Sequence, residues 1–155
     1  MLATVHLLVG AAIGKYLSGS WPLAFGISFL SHFLLDALPH TDAGTLKRPE
    51  ERGTITLTDL VLVLIDVAVA AGVLLWLSGR PEFSTSVLAG AFGGIAPDFV
   101  HPAFHAIPAL RAFPATSWYY HFHRRIQGTV DKKDWLYGLA IELVVAALSI
   151  ALFFL

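Results

Sequence analysis

The sequence has no cysteine and little charge: only 14% of its 155 residues are Asp, Glu, Lys or Arg. Without thiols there are no disulfides, thiolate metal sites or cysteine-held iron–sulfur clusters, so any metal must be held by nitrogen and oxygen. So small a charged fraction does not cover the surface of a soluble domain of this length. A basic surplus is also missing; the formal net charge of −1 argues against a nucleic-acid binder. No basic stretch precedes the first apolar run, so that run does not read as a cleaved leader.

Apolar residues fill most of the chain, at 56%, with a mean hydropathy of +0.70. Five stretches stand out: Leu2–Leu17, Trp21–Leu38, Leu57–Leu77, Phe83–Ile107 (interrupted by Pro97 and Pro102) and Trp135–Leu155. A helix needs about 20 apolar residues to cross the hydrocarbon core. The third and fifth meet that length; the first is short and the fourth is broken by prolines. The expected fold is therefore all-α: a single integral membrane domain over 1–155, with about five transmembrane or partly re-entrant helices. Glycines four apart in Gly10-Ala-Ala-Ile-Gly14 and Gly90-Ala-Phe-Gly-Gly94 suit close helix approach, or simply reflect membrane-helix composition.

If all five stretches cross, Lys47, Arg48, Arg52, Arg111, Arg124, Arg125, Lys132 and Lys133 share one side, and only Lys15 and Arg80 lie on the other. The positive-inside rule then puts the basic loops in the cytoplasm and the C-terminus outside the cell (inner) membrane. Tyr16, Trp21 and Trp76 mark the outer boundary, and Trp118, Tyr119, Trp135 and Tyr137 the inner one.

Ionisable groups inside such stretches cost about 2.5–3.5 kcal/mol each on insertion scales. Those that stand out here are His6, His32, Asp36, Asp66, Asp98 and Glu142. Under alternating topology, at ~1.5 Å rise per residue, all fall within roughly 15 Å of one face. His32 and Asp36 are four apart and share a helix face. Pro39 turns the chain out of the helix, with His40 and Asp42 beyond. Pro102 biases His101 away from helical backbone, so Asp98 and His101 are expected on an irregular segment lining a polar cavity. A further cluster, His121-Phe-His123-Arg124-Arg125, is expected in a loop on the same side. Imidazole with carboxylate is a ligand set for zinc, manganese or iron. On this reading His6, His32, Asp36, Asp98 and His101 hold metal, and Arg124 or Arg125 offers a phosphate contact. The plainer reading of each is a hydrogen-bonded structural group or, for the arginines, a topology charge. Asp66 and Glu142 read as supporting groups outside the ligand set, an ion pathway, or a protonated pair across helices.

Thr4-Val-His6-Leu-Leu-Val-Gly10, then Ser31-His32-x3-Asp36-x2-Pro39-His40, then Gly94-x-x-Pro97-Asp98-x-x-His101 and the late His121-Phe-His123-Arg124 together resemble the bacterial and archaeal membrane-bound metal-dependent hydrolases. A more distant likeness runs to zinc-dependent phospholipase C. The resemblance implies a ligand set drawn from His6, His32, Asp36, His40, Asp98, His101, His121 and His123, one to three divalent ions (zinc, or manganese), and Asp36, Asp98 and Arg124 in catalysis. It implies a hydrolase acting on a lipid or lipid-linked phosphoester at the cytoplasmic face, with membrane lipids as partners. Three other expectations stay open: a metal-ion or proton transporter using Asp66 and Glu142, a bis-histidine haem protein, and a scaffold whose polar cluster only fixes helix packing.

Overall fold

The computed structural model describes residues 1–42, 45, 46, 54 and 56–155, without the side chains of His101 and His105. Lys47, Arg48 and Arg52, which enter the orientation argument, lie outside the described residues. The described elements are helical. They are α1 (Ala3–Tyr16), α2 (Trp21–Asp36), α3 (Leu57–Ser78), α4 (Thr85–Ile95), α5 (Val100–Ala106), α6 (Pro108–Ala112), α7 (Pro114–Ile126) and α8 (Trp135–Phe154), with 3₁₀ turns at Ala96–Phe99 and Lys132–Asp134.

α1 is the central helix, packed on α2, α3, α4 and α8. Its closest partner is α4, and the reason is legible in the glycines. A side chain at Gly10 would collide with the backbone of Gly90, one at Gly14 with that of Ser86, and one at Gly94 with that of His6. The numbers of each pair run in opposite senses, so α1 and α4 are antiparallel and their backbones touch along three turns. The tight turn from α1 to α2 uses Gly19, whose φ of 108° lies in the left-handed region open to glycine. Leu2 and Thr4 at the start of α1 bond to Glu142 of α8 and Asp66 of α3, while Tyr16 at its end bonds to Leu152. Hence α1, α3 and α8 run one way and α2 and α4 the other. The alternation expected from the sequence is present, and His6, His32, Asp36, Asp66, Asp98 and Glu142 gather at one end.

The exterior is apolar. α3 opens on a capping box between Thr56 and Asp59 and then exposes Leu64, Ile65, Val67 and Leu75; α8 exposes Leu136, Leu143, Val144 and Leu148. Both helices are long and apolar enough to cross a membrane, yet only 11% and 22% of their most apolar windows are buried. The core helix of a soluble protein would be buried instead. The other three stretches form helices of 14, 16 and 11 residues, shorter than a full crossing at ~1.5 Å per residue.

Two local expectations need correction. His101 is in helical backbone, because Pro102 falls in the first turn of α5, where its missing N–H would have had no intrahelical partner. Residues 108–134 are not an open loop: Pro108 starts α6, which packs on α5 and α7, and Pro114 starts α7, which packs on α2 and buries Tyr120 and His123.

Candidate metal centre

Three chain segments bring the polar side chains together. α2 contributes His32 and Asp36 from one face at its C-terminal end. The 3₁₀ turn after α4 contributes Asp98, beside the buried Pro97. α7 contributes His123 from its inner face. One ligand-type atom from each of His32, Asp36, Asp98 and His123 lies within 4.8 Å of the other three. His32, Asp36 and His123 are fully buried, and Asp98 is the partly exposed member.

The spacings suit a small cation. His32 Nε2 is 3.0 Å from His123 Nε2 and 3.1 Å from Asp36 Oδ2, and His123 Nε2 is 2.8 Å from that same oxygen. Asp98 Oδ1 is 3.5 Å from His32 Nε2 and 3.9 Å from His123 Nε2. Four ligands about 2.0–2.1 Å from a tetrahedral zinc are separated by about 3.3–3.4 Å. The observed set brackets that edge length.

Hydrogen placement sharpens the point. His32 Nδ1 is 2.8 Å from the carbonyl oxygen of Gly94, which only accepts, so Nδ1 carries the hydrogen. In a neutral ring, Nε2 is then a bare lone pair facing a carboxylate oxygen. A shared cation relieves that opposition, and a backbone carbonyl behind the imidazole is the usual support of a metal-bound histidine.

Asp36 is the hub. Oδ1 accepts from His6 Nε2 at 3.0 Å and from the Met1 amine at 2.9 Å, and Oδ2 accepts from Gln127 Nε2 at 2.7 Å. Gln127 is the residue that sequence reasoning missed. It stands four after His123, the spacing that paired His32 with Asp36, but a neutral amide does not stand out among ionisable groups.

His6 stacks on His32 with ring centroids 3.9 Å apart and points Nε2–H at Asp36, so it braces a candidate ligand rather than joining the group. His40 is fully buried but turns to Leu38 O and Gln127 Oε1. The His101 side chain lies outside the described residues. His121 is exposed: two residues from His123 on a helix, it takes a nearly opposite direction. Arg124 is also exposed, its guanidinium over the Tyr120 ring at 5.7 Å, away from the four-residue group. Asp66 receives Ala3 N–H at 2.6 Å, Thr4 N–H at 3.1 Å and Thr4 Oγ1 at 2.6 Å. Glu142 receives Leu2 N–H at 2.9 Å and the Thr41 hydroxyl. These two carboxylates satisfy the otherwise unpaired N–H groups that begin α1.

Tyr119 borders the group. Its hydroxyl donates to Pro97 O at 3.2 Å, and its ring lies 6.1 Å from that of Phe33 and 5.9 Å from that of His123. Partial burial, with the Asp98 and Asp36 carboxylates nearby, pushes its phenol up to about 12. Comparisons with protein families, curated proteins and solved structures find no match for this chain.

Proposed function

We propose that the protein is a membrane-embedded, metal-dependent hydrolase whose His32, Asp36 and His123 hold a divalent ion beside Asp98, zinc by ligand type, near the cytoplasmic membrane face. The observation that carries this is the meeting of His32 Nε2, Asp36 Oδ2 and His123 Nε2 within 3.1 Å of one another. The chemistry such an ion supplies is activation of water near neutral pH and neutralisation of charge developing on a phosphoryl oxygen. His32 and His123 donate neutral nitrogen, Asp36 adds charge, and Gly94, His6 and Gln127 fix these donors in place. Asp98, the most distant and the partly exposed member, would be the group free to accept a proton from water, with His32, Asp36 and His123 as the three ligands that leave a fourth position open.

A lipid or lipid-linked phosphoester is the substrate class that suits the surroundings. The rings of Phe25, Phe29 and Phe33 follow one another along α2 with centroids 6.3 and 5.6 Å apart, and Phe33 reaches Phe122 and His123 at 5.6 Å each. This apolar track leads to the polar end, where a headgroup would sit. The transport reading loses its two deep carboxylates, since Asp66 and Glu142 are engaged by the start of α1.

The test is metal content, then turnover. Detergent-purified protein incubated with zinc and desalted is expected to hold stoichiometric metal that His32→Ala and Asp36→Ala abolish. The zinc-loaded protein is expected to cleave phosphoesters presented in vesicles. Wild-type protein that retains no zinc, manganese or iron ends the proposal; stoichiometric metal without turnover would leave a binding protein.

A further inference from the structure

Resting on the metal reading above, we infer that His40 is a positioning residue for the site, acting on Asp36 through the side-chain amide of Gln127. His40 lies beyond the end of α2, and the chain there is clamped to the chain leaving α7. His40 N–H donates to Gly128 O at 3.2 Å, Val130 N–H donates to His40 O at 3.0 Å, and Gly128 N–H donates to Asp36 O at 2.7 Å. A side chain at Gly128 would strike Leu38 O, so only glycine permits this contact. The clamp ties the segment after Asp36 to the segment after His123.

Inside the clamp the imidazole of His40 is fully buried. Its Nε2 is 3.0 Å from Gln127 Oε1, and Gln127 Nε2 is 2.7 Å from Asp36 Oδ2 and 3.2 Å from His123 Nε2. The direction of the chain follows from what each group can do. A carboxylate only accepts, so Gln127 turns its NH₂ toward Asp36 and its carbonyl toward His40. His40 Nδ1 is 2.8 Å from Leu38 O, which also only accepts, so the ring must donate from both nitrogens, as imidazolium: Nδ1–H to Leu38 O and Nε2–H to Gln127 Oε1. One buried imidazole thus decides which end of the amide faces two of the candidate ligand atoms. Without that donor the amide gains a reason to rotate and present its oxygen to Asp36, acceptor against acceptor. Groups that hold a metal-ligating side chain in this way typically contribute 10–100-fold to affinity.

His40 touches none of the ligand atoms, so its effect must pass through Gln127, and a double-mutant cycle reads that directly. The experiment is zinc affinity of the full chain in detergent, by competition with a chromophoric chelator, for wild type, His40→Ala, Gln127→Met and the double variant. His40→Ala and Gln127→Met are each expected to weaken zinc binding about 10–100-fold. The double variant is expected to be no weaker than Gln127→Met alone, whereas a merely structural His40 would give losses that multiply. His40→Gln, which restores an N–H donor, is expected to recover part of the affinity. If His40→Ala does not fold, Gln127→Met decides: zinc affinity equal to wild type overturns the inference. Multiplying losses, or an unchanged affinity in folded His40→Ala, overturn it while leaving the metal reading intact. A wild-type chain that binds no zinc sinks both.

Discussion

His32 donates from Nδ1 to the carbonyl oxygen of Gly94 at 2.8 Å, and Gly94 is also where the backbone of His6 closes on α4. One residue without a side chain therefore sets two imidazoles. It offers His32 the acceptor that frees Nε2, and it lets α1 approach until His6 stacks on His32 and reaches Asp36. The close-packed glycines and the histidine cluster are parts of one arrangement.

Gly94→Ala is accordingly expected to act on both fold and site. Its methyl group would overlap His6 O, so α1 must move, at a cost of about 1–3 kcal/mol for overpacking of this kind. Zinc affinity should fall with it, because His32 and Asp36 lose their alignment. Gly26 on α2 is the control. Nothing lies within 4 Å of a side chain there, so Gly26→Ala should stabilise the helix by up to about 1 kcal/mol and leave zinc affinity alone. Denaturant unfolding in detergent, beside a zinc titration, checks both variants.

Asp66→Ala tests the start of α1. Three donors from Ala3 and Thr4 converge on this carboxylate, doing from another helix what an N-cap residue does from its own. Losing it should cost about 1–2 kcal/mol of stability, by analogy with cap removal. Zinc stoichiometry should stay at the wild-type value, since Asp66 is outside the four-residue group. If Asp66→Ala instead abolishes metal binding without a stability loss, the carboxylate is a ligand and its capping role is wrong.

The depth of the polar residues was readable in the sequence because apolar runs fix where helices start and stop, and alternation then fixes direction. His32 and Asp36 were readable because four residues return a helix to the same face. His123 could be named but not separated from His121, since the choice depends on which face of α7 turns inward. Gln127 was invisible because its importance comes from what it touches. The number of spans is less legible: α3 and α8 are long and apolar enough to cross a membrane, whereas α1, α2 and α4 are shorter, although α2 still exposes Leu23, Leu30 and Leu34.

The split between the two late histidines gives a third prediction. His123→Ala should remove zinc binding, because its Nε2 is 2.8 Å from Asp36 Oδ2 and 3.0 Å from His32 Nε2. His121→Ala should bind zinc as wild type does, and so should Arg124→Ala, whose guanidinium rests on Tyr120. If His121→Ala loses metal while His123→Ala keeps it, α7 is rotated by about half a turn from the orientation described.

Tyr119 gives the pH dependence. Its phenol is raised from 10.0 to about 12 by burial first, then by the Asp98 and Asp36 carboxylates. A group whose folded value is raised contributes stability that is fully present below its unfolded value and is lost as pH climbs through the folded one. Between about pH 10 and 12 the unfolded chain therefore releases this proton and the folded chain holds it, so stability should decline across that window. Below it, the hydroxyl remains a donor to Pro97 O and keeps the turn that carries Asp98 in place. Tyr119→Phe should lose about 1 kcal/mol at neutral pH, the usual net worth of one hydrogen bond. It should also show a shallower decline than wild type above pH 10, with the two curves converging toward pH 12. Chemical unfolding at a series of alkaline pH values measures this, and parallel curves for the two proteins would mean that the phenol titrates alike in the folded and unfolded chain.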